Sequence, residues 1–228
     1  MKSPLPLLPL ILFTCASQAD TGYWLDLGWD SQYVSEGRDN IGRGGVWWGG
    51  AAVSVDSLTA YATLARADSE FFSEWNIGLE YELPLGDDWR GSVGYQRVEI
   101  VADEPFSDNE WFASLAWWLE PRLVPVVAYT YSSDSAGYFV ELSLYSHWQL
   151  TESLELTPFV TQGLDYQYMT ELHSGRNHLQ WGVKAIWTLD DGWSTTLQLA
   201  HSEAQGDVIL DDEEGDLNFI SLHLSRDF

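Results

Sequence analysis

The C-terminal stretch NFISLHLSRDF, residues 218–228, puts Ile220, Leu222, Leu224 and Phe228 on even positions and Ser221, His223, Ser225 and Asp227 on odd ones. Successive side chains of a β-strand point to opposite faces, so this period of two predicts a strand with one apolar and one polar face. The pattern runs to the last residue. Chain ends fray unless something ties them down, so a strand that closes on phenylalanine predicts a neighbour holding it and an apolar medium outside it.

The same period recurs upstream. YWLDLGW, residues 23–29, sets Tyr23, Leu25, Leu27 and Trp29 against Asp26 and Gly28. VWWGGAAVSVD, residues 46–56, repeats it with small residues, and LQWGVKAIWTL, residues 179–189, sets Leu179, Trp181, Val183, Ala185, Trp187 and Leu189 against Gln180, Gly182, Lys184 and Thr188. EWNIGLEYEL, residues 74–83, is the clearest case: Trp75, Ile77, Leu79, Tyr81 and Leu83 alternate with Glu74, Asn76, Gly78, Glu80 and Glu82. Short polar turns fall at residues 56–57, 85–88, 120–122, 151–153 and 190–192. Longer Gly- and Asp-rich segments fall near residues 35–45, 66–72, 99–109, 132–137, 169–178 and 201–216. Six long connections interleaved with five short ones predict twelve strands with both termini on the short-turn side. That is an all-β, up-and-down antiparallel transmembrane barrel with periplasmic termini.

Composition agrees with this reading. Of 228 residues 45% are hydrophobic and 14% aromatic, including thirteen tryptophans, enough to cover a large apolar surface. Ten Lys and Arg oppose thirty-five Asp and Glu, a formal net charge of -25. A surface of that sign repels nucleic acid, which is excluded as a partner. Residues 1–19 read as a secretory signal peptide: Lys2, the apolar run PLPLLPLILF and the small-x-small site Ser17-Gln18-Ala19. Its removal takes the single cysteine, Cys15, and leaves residues 20–228 as the barrel, without disulfides. No later run of apolar residues is long enough for a membrane-spanning helix.

Aromatics cluster at predicted strand ends. Trp89, Trp148, Trp187, Trp193 and Phe228 lie beside short turns; Tyr33, Trp75, Trp111, Tyr131, Tyr138 and Tyr168 lie beside long segments. Two interfacial girdles are expected. In a soluble sandwich the aromatic faces would be buried along their whole length, with no reason to gather at the ends. The tail resembles the terminal signal by which the assembly machinery of the bacterial outer membrane reads its barrels, with Arg226 where an apolar residue is more usual. GWDSQYVSEGRDN, residues 28–40, is similar to the first hairpin of the TorF-like porin family, with the arginine-glycine pair inverted as Gly37-Arg38. The resemblance implies a small porin-like barrel and transfers no binding residues.

Parity assigns Asp26, Asp30, Glu74, Glu80, Glu82, Glu141, Glu155 and Asp165 to the inward face, opposed mainly by Arg90 and Lys184. Glu82 and Arg90 flank one short turn on the same face and are expected to pair. An acidic lumen predicts a narrow passive channel for small polar or cationic solutes. The rival is a closed structural or adhesion barrel whose acidic loops bridge through divalent cations to lipopolysaccharide. Asp211, Asp212, Glu213, Glu214 and Asp216 are the candidate calcium ligands for such bridging. A lipid hydrolase would carry a His-x-Ser pair facing lipid near the outer rim. His223-Leu224-Ser225 has the spacing but the inward face, so no enzyme and no cofactor are expected.

Overall fold

The structure, a computed structural model, describes residues 21–119, 122–172, 174–211 and 215–228. The signal-peptide reading of residues 1–19 therefore lies outside the described residues. Twelve strands form the wall: β1 (Thr21–Asp30), β2 (Val46–Val55), β3 (Leu58–Ala67), β4 (Phe72–Leu83), β5 (Trp89–Ala102), β6 (Phe106–Trp117), β7 (Val124–Ser132), β8 (Tyr138–Tyr145), β9 (Leu154–Tyr166), β10 (Ser174–Thr188), β11 (Trp193–Ala204) and β12 (Leu217–Asp227). Beyond a break, the two-residue piece Trp148–Gln149 resumes β8 and pairs with Leu156 and Glu155 of β9.

Each strand pairs antiparallel with its sequence neighbours, and β1 pairs with β12 from Trp24↔Asp227 to Asp30↔Ser221. The ladder therefore closes on itself and leaves no edge. The closing pair holds the chain end: Phe228 N–H donates to the Tyr23 carbonyl at 3.0 Å. Burial follows the period of two. Leu25, Ile77, Leu79, Leu142, Ile220 and Leu222 are exposed on the outer wall, whereas Glu74, Asn76, Gln96, Thr161 and Ser221 are buried within. A continuous apolar exterior around a polar interior suits a bilayer and is costly in water.

Local chemistry sets the turns. Asp56 takes φ 53° in the two-residue connection that joins Val55 to Leu58, a left-handed conformation that Asp tolerates better than most residues. Inside the wall, Gly94 faces Phe112 across the ladder, and a Cβ on it would lie 2.1 Å from the Phe112 ring. The bare glycine lets an inward aromatic lie flat on the neighbouring strand, a device that also permits the sheet to curve.

The connections differ from the expectation drawn from composition. The strands run into several of the polar segments read as long loops, leaving residues 68–71, 103–105, 133–137 and, among the described residues, 167–172 between them. In β5 and β6 the ladder continues to Ile100↔Phe106. There the outward face turns polar, with Arg97 and Glu99 paired at 2.7 Å. Backbone pairing needs no lipid, so a hairpin can extend past the apolar band with polar side chains on both faces. Residues 174–178, which fall in a segment read as a long connection, belong to β10. Two further connections on this side are loop 1, residues 31–45, and loop 6, which follows β11 and contains α1 (Gly206–Asp211). Among the described residues no helix is long and apolar enough to cross a membrane.

Candidate functional site

Loop 1 does not project away from the wall. It folds back into the bore as a hairpin in which Val34 pairs with Asp39 and Ser35 with Arg38. The neck is anchored beside its own strands. The Tyr33 hydroxyl donates to Glu74 Oε2 on β4 at 2.8 Å, and its ring meets Trp48 and Phe72 edge-on at 5.3 and 5.6 Å. Tyr33 and Ile41 join Val46, Ala65, Phe72, Val98 and Ile100 in one buried apolar cluster. Asp39 ties the neck from both sides, accepting from the Tyr33 N–H at 3.2 Å and the Gln32 amide at 3.1 Å.

The tip reaches the far wall. Gly37 has φ 76°, and a Cβ on it would lie 2.6 Å from His178 Cβ on β10, so only glycine fits both the backbone turn and the approach. Glu36 sits close enough to Glu110 on β6 and Glu141 on β8 for their charges to act on it. Burial first, then Glu141 and Glu110, pushes the Glu36 carboxyl well above the usual carboxylate range, against the lowering pull of the Ser35 hydroxyl and Arg38. Ser35 donates to the Glu36 carboxyl, and the Arg38 guanidinium donates to the Glu36 carbonyl at 3.1 Å. A segment rooted between β1 and β2 that touches β10 and approaches β6 and β8 spans the bore of a twelve-strand barrel.

A second segment docks in the same way. After β9, Tyr168 turns inward and its hydroxyl donates to Glu110 Oε1 at 2.5 Å, while the Gln96 amide donates to Glu110 Oε2 at 2.9 Å. Glu74 is likewise held on both oxygens, by Tyr33 and by the Asn76 amide at 2.8 Å. Each of these buried wall carboxylates is thus satisfied by one loop tyrosine and one wall amide. This corrects the sequence reading of Tyr33 and Tyr168 as girdle residues: they are 1% and 5% exposed and hold loops inside the bore. An aromatic beside a long loop can serve either the interface or the interior. Only the path of the loop separates the two.

The remaining inward candidates occupy distinct places. Asp26 and Asp30 bracket His223 at 2.9 and 3.3 Å across the closing pair of strands, Ser225 donates to Asp26 at 2.7 Å, and the Trp48 indole donates to Asp30 at 2.8 Å. Glu82 and Arg90 stand 3.7 Å apart. Glu155 accepts from Thr157 at 2.7 Å and lies 2.8 Å from His147 Nδ1, and the His147 ring stacks on Trp118. Lys184 extends over Tyr145 and Phe159, its ammonium 5.7 and 5.6 Å from the two ring centres. Asp165 accepts from the Tyr168 N–H at 2.7 Å, while Glu80 and Glu141 are buried on the inner wall. The three histidines His147, His178 and His223 form no common cluster.

On the outer wall Trp75, Trp111 and Phe228 are 44%, 58% and 57% exposed. Trp89 stacks on Trp117 at 5.1 Å, Trp148 lies under Arg122 at 4.8 Å, and Trp187 is exposed beside its turn. Arg226 lies over Trp193 and Phe228, 5.1 and 4.3 Å from their ring centres. The odd arginine of the tail thus covers the terminal ring with its own cation. Of the calcium candidates, Asp212, Glu213 and Glu214 and the side chain of Asp211 lie outside the described residues. Asp216 accepts the Ala204 N–H at 3.0 Å. Among the described residues no group of three or more His, Asp or Glu is arranged to hold a metal ion.

No protein-family model and no curated protein matches the sequence. Solved structures do match the fold. The KdgM porin superposes with a TM-score of 0.63 at 8% identity over 90% of this chain and 99% of that one. A second KdgM structure, in complex with disordered oligogalacturonate, gives 0.57 at 6% identity over 91% and 98%. The NanC porin gives 0.55 at 12% identity over 88% and 97%. The fold of this chain is thus that of a small porin barrel, matched along nearly its whole length.

Proposed function

We propose that the chain is a porin-like passive channel of the bacterial outer membrane, with both termini and the short turns on the periplasmic side. The observation that carries this reading is the closed twelve-strand wall, apolar outside and polar within, whose ladder leaves no edge. The similarity of residues 28–40 to the TorF-like porin family points the same way. The terminal Phe228 would be the contact for the barrel assembly machinery, and lipopolysaccharide and lipid the surroundings of the outer wall. No cofactor is needed. The His223-Leu224-Ser225 pair supports a non-enzymatic reading, because Ser225 donates to Asp26 and His223 lies between Asp26 and Asp30, so the histidine does not take up the serine proton.

Solute class follows from the inner charges. The oligogalacturonate bound by KdgM is a chain of sugar carboxylates. Here Asp and Glu outnumber Arg and Lys on the inward face, which suits neutral polar or cationic solutes instead. The docked loop 1 gives weight to a second reading, a closed structural barrel whose bore is filled. Single-channel recording in a planar bilayer under a salt gradient separates them. Discrete steps with a cation-directed reversal potential are expected, and insertion without current at any voltage would leave the closed barrel standing.

A further inference from the structure

We infer that a groove on the outer wall, crossing β3 to β6 and ending beside Arg97, binds one molecule of lipopolysaccharide, with an acyl chain in the groove and a lipid A phosphate on the guanidinium. This rests on the outer-membrane reading, in which the long connections face the lipopolysaccharide leaflet. Leu58, Tyr81 and Val93 form one side of the groove and Leu79, Tyr95 and Trp111 the other, around a volume of about 240 Å³. The ladder sets these sides as two neighbouring outward rows, Leu58↔Tyr81↔Val93 and Leu79↔Tyr95↔Trp111. Between them runs the pair Glu80↔Gly94, whose inward parity leaves backbone as the floor. Long aromatic side chains on both rows deepen the gap. Leu58 stands at the short turn, whereas Trp111 pairs with Tyr131 near the end of β7. Because barrel strands are tilted, the groove slants from the short-turn end of the wall toward the long connections, a path that suits an acyl chain descending from a headgroup.

An apolar groove alone would take any acyl chain. Polar groups gather only at its far end. There the Tyr95 hydroxyl donates to Asn109 at 2.7 Å, and Arg97, the next outward residue of β5, faces Asn109 across the ladder. Trp75, paired with Glu99, and Trp111 mark this level as the aromatic girdle, where lipid headgroups begin. Cations are scarce in this acidic chain, and β4 and β6 on either side carry no Lys or Arg. Glu99 takes the Nε and Nη2 edge of the guanidinium, at 2.8 and 2.7 Å, and Nη1 has no acceptor among the described residues. The carboxylate thus fixes the guanidinium at the mouth of the groove and leaves it donors for a phosphate, an acceptor whose geometry arginine matches.

Native mass spectrometry of the refolded full-length barrel in detergent tests this, with folding checked by its heat-modifiable gel mobility. The probes are bisphosphorylated lipid A, the same lipid A stripped of its phosphates, and phosphatidylglycerol. The parent should retain one bisphosphorylated lipid A and hold the stripped form about tenfold more weakly. Arg97→Gln should remove that difference. Val93→Trp, which fills the groove from its own side, should weaken both forms of lipid A. Arg66→Gln is the comparison, an exposed arginine on β3 that donates to Ser73 and lies away from the groove, and it should change nothing. Arg97→Gln alone carries the test should the larger tryptophan prevent folding. Retention equal in the parent and Arg97→Gln, or an equal loss in Arg66→Gln, would overturn the site. Phosphatidylglycerol held in preference to lipid A, and lost in Arg97→Gln, would overturn lipopolysaccharide as the occupant. Both substituted residues face away from the bore, so the parent's current in a planar bilayer judges the channel reading separately, and failed lipid retention leaves that reading standing.

Discussion

The two ends of the bore are filled by different means. Toward the long connections, two loop tyrosines close over wall carboxylates and an apolar cluster from Tyr33 to Ile100 packs beneath them. Toward the short turns, the wall supplies its own partners: Ser54 with Thr59 at 2.8 Å, Ser92 with Ser114 at 2.9 Å, Glu82 with Arg90 at 3.7 Å. An inward carboxylate therefore means different things at the two ends. Glu74 and Glu110 are acceptors that hold loops in place, whereas Glu82 is a partly exposed charge beside a cation. Counting inward acids overstates the charge that a passing solute would meet.

The largest expected effect strikes the contact that makes the two ends differ. Gly37→Val forces a β-branched residue to φ 76° and drives a Cβ into His178. The left-handed backbone alone costs about 1–2 kcal/mol, before the collision is relieved. The tip should leave its seat, and trypsin should then cleave after Arg38, which is buried in the parent. Protection of Arg38 retained in the variant would show that the tip does not depend on this contact.

A pH dependence of intermediate size should be confined to the loop end. The docked Glu36 carboxyl binds its proton more tightly than an ordinary glutamate, so docking is favoured at low pH. It should weaken as pH rises from the ordinary glutamate value of about 4.3 toward the raised one. The groups facing Glu36 are Glu110 and Tyr168, Glu141, Arg38 and, beside Gly37, His178. Channel open time should increase with pH, and Glu36→Gln should flatten that response. A profile identical in the variant would assign the titration to another of these groups.

The smallest effect belongs to the opposite end. Glu82 and Arg90 are each about a third exposed, and pairs of that kind contribute roughly 0.2–1 kcal/mol. A double-mutant cycle on the two, read by denaturant unfolding, should return a coupling within that range and no change in the tryptic pattern of loop 1. A much larger coupling would place this pair among the interactions that hold the barrel shut.

Much of this was legible in the residues. The period of two fixed which side chains face lipid, the count of connections matched the twelve strands, and Glu82 and Arg90 were paired by their common face across one turn. These are local properties, since the pleat alone decides them. Loop lengths were less legible. Gly and Asp mark a polar exterior as readily as a turn, and the β5–β6 hairpin continues through just such a segment.

What the sequence by itself determined, then, is the wall: strand number, inner and outer faces, the anchoring of Phe228. What only the tertiary structure decided is the contents of the bore. Parity says that Glu74 and Glu141 point inward, but it did not single out Glu110, nor does it say that Tyr33, Tyr168 and the hairpin around Gly37 come in to meet these carboxylates. Those contacts join residues 41 and 58 positions apart in the pairs Tyr33–Glu74 and Glu110–Tyr168, across a bore that exists only after the ladder has closed. No local periodicity encodes a contact of that kind, because the partners become neighbours through the curvature of the whole sheet.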